Sequence, residues 1–328
     1  MGGNYKTINA LMAHLRANGI AISGTRQKRL LLNTGYFHGY KGYRFFKDAK
    51  DKLPFQNYDE IHATIRYDSQ LKSLFYGKIM FIETAVKHIA LQTIIEFCKS
   101  SSINVFYEKA VMAYRHAPTT FTVKQKKEIQ KNKLQLQSHI QNCLLRAYSR
   151  DNPKITHFYN KRVFTGVPLW ALFEILSMGD FGQLLSSLVF DVRDILTSKL
   201  GLNRAVDSNR ELCYKYIYAL KDLRNAVAHN SVVFDARFRG SDPSPAMKTC
   251  LEQEIGAHDI NFKTIDDYVL LVVYYLKLLN ESKTAMKQFV SQFERITEEY
   301  RTSVNTNVSR LVIHPNRSRK LISLRSFI

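Results

Sequence analysis

DEIHATIRYDSQLKSLFYGKIMFIETAVKHIALQTIIEF, residues 59–97, is the stretch that decides the fold class. Ile61, Ile65, Leu71, Leu74, Ile79, Ile82, Val86 and Ile89 recur mostly at steps of three and four, with no proline and Gly77 as the only internal glycine. Apolar side chains at that spacing line one stripe of an α-helix, so the spacing predicts a helix over almost all of 59–97. Glu83 and Lys87 stand four apart on it, the separation of an intrahelical ion pair.

The same period extends outward in both directions. Ile8, Leu11, Met12 and Leu15 predict a helix over 8–20 that stops at Gly19, and 25–32 predicts a second, with Thr25 as its N-cap. A long polar helix is expected over 122–148. Pro168 is placed to open another in its first turn, and Gly179-Asp180-Phe181-Gly182 to punctuate it before the apolar stretch 184–190. Leu212, Tyr216, Leu220, Leu223 and Val227 step by 4, 4, 3 and 4, a buried stripe on one helix over 208–229. Residues 237–245, RFRGSDPSP, are turn-rich, and helices over 264–279 and 282–303 come after them. From Arg301 onward the chain carries Arg301, Arg310, Arg317, Arg319, Lys320 and Arg325 and no acid. A basic arm that orders on nucleic acid is expected there, with parts packed or paired as short strands. The expected class is all-α, divided at 1–58 (helical, basic and aromatic), 59–260 (helical core) and 261–328 (C-terminal helices and basic tail).

A formal net charge of +20 on 328 residues favours a polyanionic partner, nucleic acid or an anionic membrane surface, over a merely solvated lysine-rich exterior. The longest apolar run, 268–276, is too short to span a bilayer and reads as a buried helix. No secretory signal pattern opens the chain, and Cys98, Cys143, Cys213 and Cys250 lie far apart without C-x-x-C spacing. No membrane insertion, a cytoplasmic location and neither disulfide framework nor zinc site are the expectations.

Where nucleic acid would bind is suggested by basic and aromatic residues lying together. Between Arg26 and Lys50 seven Lys or Arg face one acid, Asp48, among Tyr36, Phe37, Tyr40, Tyr43, Phe45 and Phe46. Such residues bind phosphates and stack bases, and equally they form the core of an N-terminal lobe. Arg26, Lys28, Arg29, Tyr40, Lys41 and Arg44 are the candidates here. Lys124, Lys126 and Lys127 on the polar helix, and Arg317, Arg319 and Lys320 in the tail, are the others.

No phosphate-cradling G-x-x-x-x-G-K-[ST] loop, G-x-S-x-G elbow, H-E-x-x-H pair or dense carboxylate cluster for two metals is present. Neither cofactor nor metal is expected. What stands out is Arg224-Asn225-Ala226-Val227-Ala228-His229, in which one of the ten histidines has an arginine five positions before it. At about 100° per residue, five positions set Arg224 and His229 roughly 140° apart, whereas Asn225 and His229 share a face. A long arginine can still reach round if the helix frays at His229. These are the groups that cut RNA without a metal: an imidazole moves the 2′-hydroxyl or leaving-group proton, and a guanidinium stabilises charge on the phosphate. As a bare pattern Arg-x4-His is weak.

Four blocks taken in order are more specific. GIAISGTRQKRLLLNTGYFHGYKGYRFF, YDEIHATIRYDSQLKSLFYGKIMFIETAVKHIA, PLWALFEILSMGDFGQLLSSL and LKDLRNAVAHNSVVFD together resemble the Abi-like abortive-infection proteins of the AbiD/AbiF type, from about Gly19 to Phe234. That resemblance implies an all-α HEPN-type helical bundle, here with helical N-terminal and C-terminal additions. It also implies metal-independent endoribonuclease (toxin) activity in defence against phage, and a structured noncoding RNA as partner. By it, Arg224 and His229 take the catalytic positions with Asn225 beside them. One motif per chain implies a homodimer through the HEPN domain. Asn230 departs from the aromatic or basic residue expected after the histidine. A non-catalytic RNA-binding scaffold is the alternative. A DNA-binding regulator is weaker, since no helix-turn-helix pattern stands out.

Overall fold

The computed structural model describes residues 7–161, 166–240 and 242–328, and the chain is all-α. Its α-helices, in order, are α1 (Ile8–Ala17), α2 (Gly24–Tyr36), α3 (Tyr58–Cys98), α4 (Ile103–Lys109), α5 (Val123–Ser149), α6 (Pro153–Tyr159), α7 (Leu169–Ile175) and α8 (Met178–Ser186). Then come α9 (Phe190–Leu200), α10 (Leu212–Ala228), α11 (Pro245–Ile255), α12 (Ile265–Leu278), α13 (Lys283–Ser303), α14 (Thr306–Val312) and α15 (Arg317–Phe327). A π-helical turn, Phe37–Lys41, succeeds α2. Among the described residues β-type pairing is limited to isolated bridges.

The described residues fall into two compact units. The first draws on Met1–Ile79, Asp222–Asp242 and Leu251–Ile328, the second on Met80–Lys221 and Pro243–Cys250.

The first unit takes the front of α3. Asp59 and Glu60 occupy its first turn, where acids complement the helix dipole, and Ile61, Leu71, Phe75 and Ile79 are buried. Tyr67 stacks on Tyr300 of α13 with ring centroids 4.5 Å apart. Helix α12, expected to be buried, is so from Ile265 to Leu276, which places Asp266 and Asp267 in the interior.

Those two acids explain a correction. The tail beyond Arg301 is neither a free arm nor strand: among the described residues it folds as the end of α13, α14 and α15. Lys320, read from the sequence as an RNA contact, is 2 % exposed. Its ammonium pairs with Asp267 at 2.5 Å and donates to the Asp259 carbonyl at 2.9 Å. Arg317 lies 3.5 Å from Asp266 and over the Phe293 ring. A buried carboxylate needs a paired cation, and α15 delivers one to each.

In the second unit, Thr122 and Gln125 form a capping box that starts α5. Glu83 and Lys87 of α3 make the expected ion pair at 2.8 Å, and Lys87 also donates to the Leu176 carbonyl at 2.7 Å. Three local expectations are corrected. Pro168 is the extended residue before α7 rather than part of its first turn. Ser23, not Thr25, precedes α2. Gly179 and Gly182 lie inside α8, which Ser177 starts by accepting the Asp180 N–H. Gly182 is there for closeness, since a Cβ on it would stand 2.9 Å from the Tyr218 ring.

All four cysteines are free and buried, and burial pushes the Cys213 thiol up to about 12. Among the described residues no helix is long and apolar enough to cross a membrane.

Candidate active site

The motif occupies the last turn of α10 in the first unit. The helix does not fray at His229, whose N–H still donates to the Asn225 carbonyl at 2.9 Å. Immediately beyond, the Asn230 N–H reaches Val227 O at 3.4 Å and the Ser231 N–H reaches Ala226 O at 2.8 Å. This pair of bonds is a Schellman closure, which requires a left-handed residue. Asn230 supplies it with φ +53°, a conformation asparagine tolerates better than most residues with a Cβ. The departure at Asn230 therefore has a local structural reason.

The segment beyond Ser231 is anchored from α3. Asp68 of that helix is fully buried, and its Oδ1 accepts the backbone N–H groups of Val233 at 2.7 Å and Phe234 at 2.8 Å. Its Oδ2 accepts the Tyr43 hydroxyl at 2.9 Å and meets the Lys72 ammonium at 2.7 Å. Lys72 in turn donates to Asn230 Oδ1 at 2.8 Å. Burial, and then the Asp68 charge, push the Tyr43 phenol well above its ordinary value, so it stays a donor.

The aromatic run after α2 packs on this same segment. Tyr43 stacks on Phe234 with ring planes 13° apart. The Arg237 guanidinium donates to the carbonyls of Gly42 at 2.8 Å and Phe45 at 2.7 Å while pairing with buried Asp235, which also accepts the Lys47 N–H. Between the two segments lies an open cleft of about 560 Å³, lined by Phe37, His38, Asn225, His229 and Arg237 among others.

Of the three motif residues, Asn225 and His229 line this cleft and Arg224 does not. Arg224 donates to Asn225 Oδ1 at 3.2 Å, which leaves the Asn225 NH₂ as the donor end of that amide. His229 is exposed, and among the described residues its imidazole makes no hydrogen bond. Asp222 also lines the cleft and accepts the Gly240 N–H at 3.2 Å.

Two groups were not visible as functional in the sequence. His38 places a second imidazole on the cleft, but it sits in an aromatic run with no spacing to His229 that marks it. Asp68 gives only an i,i+4 signal with Lys72. Of the proposed RNA contacts, Arg26 is exposed and pairs with Asp59 at 3.0 Å. Arg29, Lys41, Lys124, Lys127 and Arg319 are exposed, and Lys28, Arg44, Lys126 and Arg317 half-buried. Tyr40 is 4 % exposed and, like Lys320, is not available to a base or phosphate in this structure. Among the described residues no three His, Cys, Asp or Glu side chains gather to hold a metal ion.

No curated protein and no solved structure matches the chain. The family model described as Abi-like protein matches residues 29–235, more than half of the sequence, and the chain belongs to the Abi-like protein family.

Proposed function

We propose that this Abi-like protein is a metal-independent endoribonuclease of abortive infection. Family membership supports the coarser part, a role in abortive-infection defence. The observation that supports the finer part is the pairing of an exposed imidazole with a rigid support. His229 stands on a closed helix end, beside a segment fastened by Asp68, and lines an open cleft together with Asn225.

In that cleft the 2′-hydroxyl of a ribose attacks the adjacent phosphorus while an imidazole takes its proton. The bond from phosphorus to the 5′-oxygen breaks, and a second group returns a proton to that oxygen. The products are a 2′,3′-cyclic phosphate and a 5′-hydroxyl. His229 supplies one of the two transfers, and His38 lines the same cleft for the other. The guanidinium that neutralises the phosphate comes from Arg224. Because Arg224 does not line its own chain's cleft, a second copy supplies it, and the working enzyme is a homodimer of HEPN-type units. RNA, including a structured noncoding RNA, is held on exposed cations, Arg29, Lys41 and Arg319 of the first unit or Lys124 and Lys127 of the second.

The test is cleavage of single-stranded RNA by the purified chain in excess EDTA, with end-group analysis. Cyclic phosphate ends are expected, and His229→Ala is expected to lose about 10²–10⁴-fold in rate. A variant as fast as the parent would remove His229 from the chemistry. The hydrogen bond from Arg224 to Asn225 favours a second reading, a non-catalytic scaffold that holds RNA. In that case Arg224→Ala weakens RNA affinity and no cleavage is measurable.

A further inference from the structure

The second unit contains another concavity, of about 310 Å³, walled by α5, α8 and α9 and by the segment after α4. Its floor is tied down. Val111 and Leu188 form an antiparallel bridge, the Met112 N–H donates to Ser187 O at 2.8 Å, and the Val189 N–H donates to Ala110 O at 2.8 Å.

Lys133 and Arg193 bring two cations to the wall, and no carboxylate lines it. Asn132 and Gln183 add amide side chains that make no hydrogen bond among the described residues, and Met112 and Ile129 supply an apolar face. The Arg193 Nε is buried and meets no acceptor among the described residues. Glu211 interacts with Arg193 electrostatically but does not line the pocket and is ion-paired to Lys215 at 2.6 Å. Lys133 is held below its ordinary value by burial and by the charge of Arg115, with Glu108 opposing. Lys133 also donates to the Tyr107 carbonyl at 2.7 Å, whereas the buried Arg193 Nε is a charged donor that an anion would satisfy. Ligand pockets run from about 300 to 1,000 Å³ and combine an apolar wall with a few placed polar groups. The size and lining here match one phosphate and one base.

We propose that this pocket binds a nucleoside phosphate, the phosphate against Arg193 with Lys133 on the same wall, and the base against Met112 and Ile129 with Asn132 and Gln183 at its edge. The ligand is either a free mononucleotide or one residue of an RNA strand; the two share this chemistry.

The experiment is calorimetric titration of the full chain with adenosine 5′-monophosphate, adenosine, inorganic phosphate and a six-nucleotide RNA. The same titrations are run on Arg193→Gln and Asn132→Asp. The second variant is at an exposed position, keeps the shape of the side chain, and sets a negative charge at the rim. Both are expected to weaken binding about tenfold or more through loss or repulsion of a charge-assisted contact, while adenosine alone stays weak. Mononucleotide binding that both variants weaken identifies a free ligand, and six-mer binding that both variants weaken identifies an RNA strand; both support the pocket. His229→Ala is expected to bind the mononucleotide like the parent, so failure of the proposed nuclease leaves that result intact. If neither probe binds, or if both variants bind as the parent does, the assignment is overturned.

Discussion

Asp68 Oδ1 accepts the backbone N–H of Val233 at 2.7 Å across 165 residues of sequence. Together with the neighbouring bond from Phe234, it anchors the segment that leaves the motif. Asp68→Ala strands two buried backbone donors, the Tyr43 hydroxyl and the Lys72 ammonium. Breaking a buried pair by deleting one partner costs about 3–5 kcal/mol. Urea unfolding is expected to show a loss of that order, and Asp68→Asn, which keeps an acceptor, a smaller one.

Asn230 closes α10 with φ +53°. A β-branched residue there meets the steric cost of the left-handed region, about 1–2 kcal/mol, which glycine avoids. Asn230→Val is therefore expected to melt lower than Asn230→Gly, although both lose the Lys72 hydrogen bond equally. Equal melting temperatures for the two would show that the closure does not depend on the left-handed residue.

His38 lines the cleft with His229. If it carries the second proton transfer, His38→Ala lowers the cleavage rate by about 10²-fold and removes one limb of the pH–rate profile. RNA affinity and circular dichroism stay as in the parent. An unaltered profile would exclude His38 from proton transfer.

Asp266 gives the fold a pH signature. Burial raises its carboxyl from 3.8 to about 6 despite nearby Arg317. The folded state therefore holds this proton more tightly than the unfolded chain, and its contribution to stability is full below about 4 and declines as pH rises through about 6. At about 1.4 kcal/mol per pH unit, the decline amounts to about 3 kcal/mol. Asp266→Asn removes it, so the variant is expected to gain on the parent between pH 4 and pH 7 in paired denaturation curves. A difference independent of pH would remove Asp266 as its source.

Helices α3 and α10 were legible because each buries a stripe that repeats with the helical period, and α5 was legible as a long polar helix. The shared face of Asn225 and His229 came from the same geometry, as did the separation of Arg224. What stayed hidden depends on distant partners. Gly182 reads as a break until Tyr218 is seen against it. The tail reads as a solvated basic arm until Asp266 and Asp267, about fifty residues earlier, are found buried and waiting for Arg317 and Lys320. Asp68 looks like half of an ordinary surface pair until the backbone of Val233 arrives.

The Lys320 ion pair also sets a timetable. Phe238 lines the cleft and packs on Tyr268, with ring centroids 5.0 Å apart, and Asp267 beside it is neutralised by Lys320. A chain in which His229 has just been joined has therefore yet to gain Asp267, Tyr268 and the Lys320 that pairs with Asp267. At about 5–20 residues per second, the interval lasts several seconds. Until Lys320 has been added, the chain carries the motif with Asp267 lacking its cation.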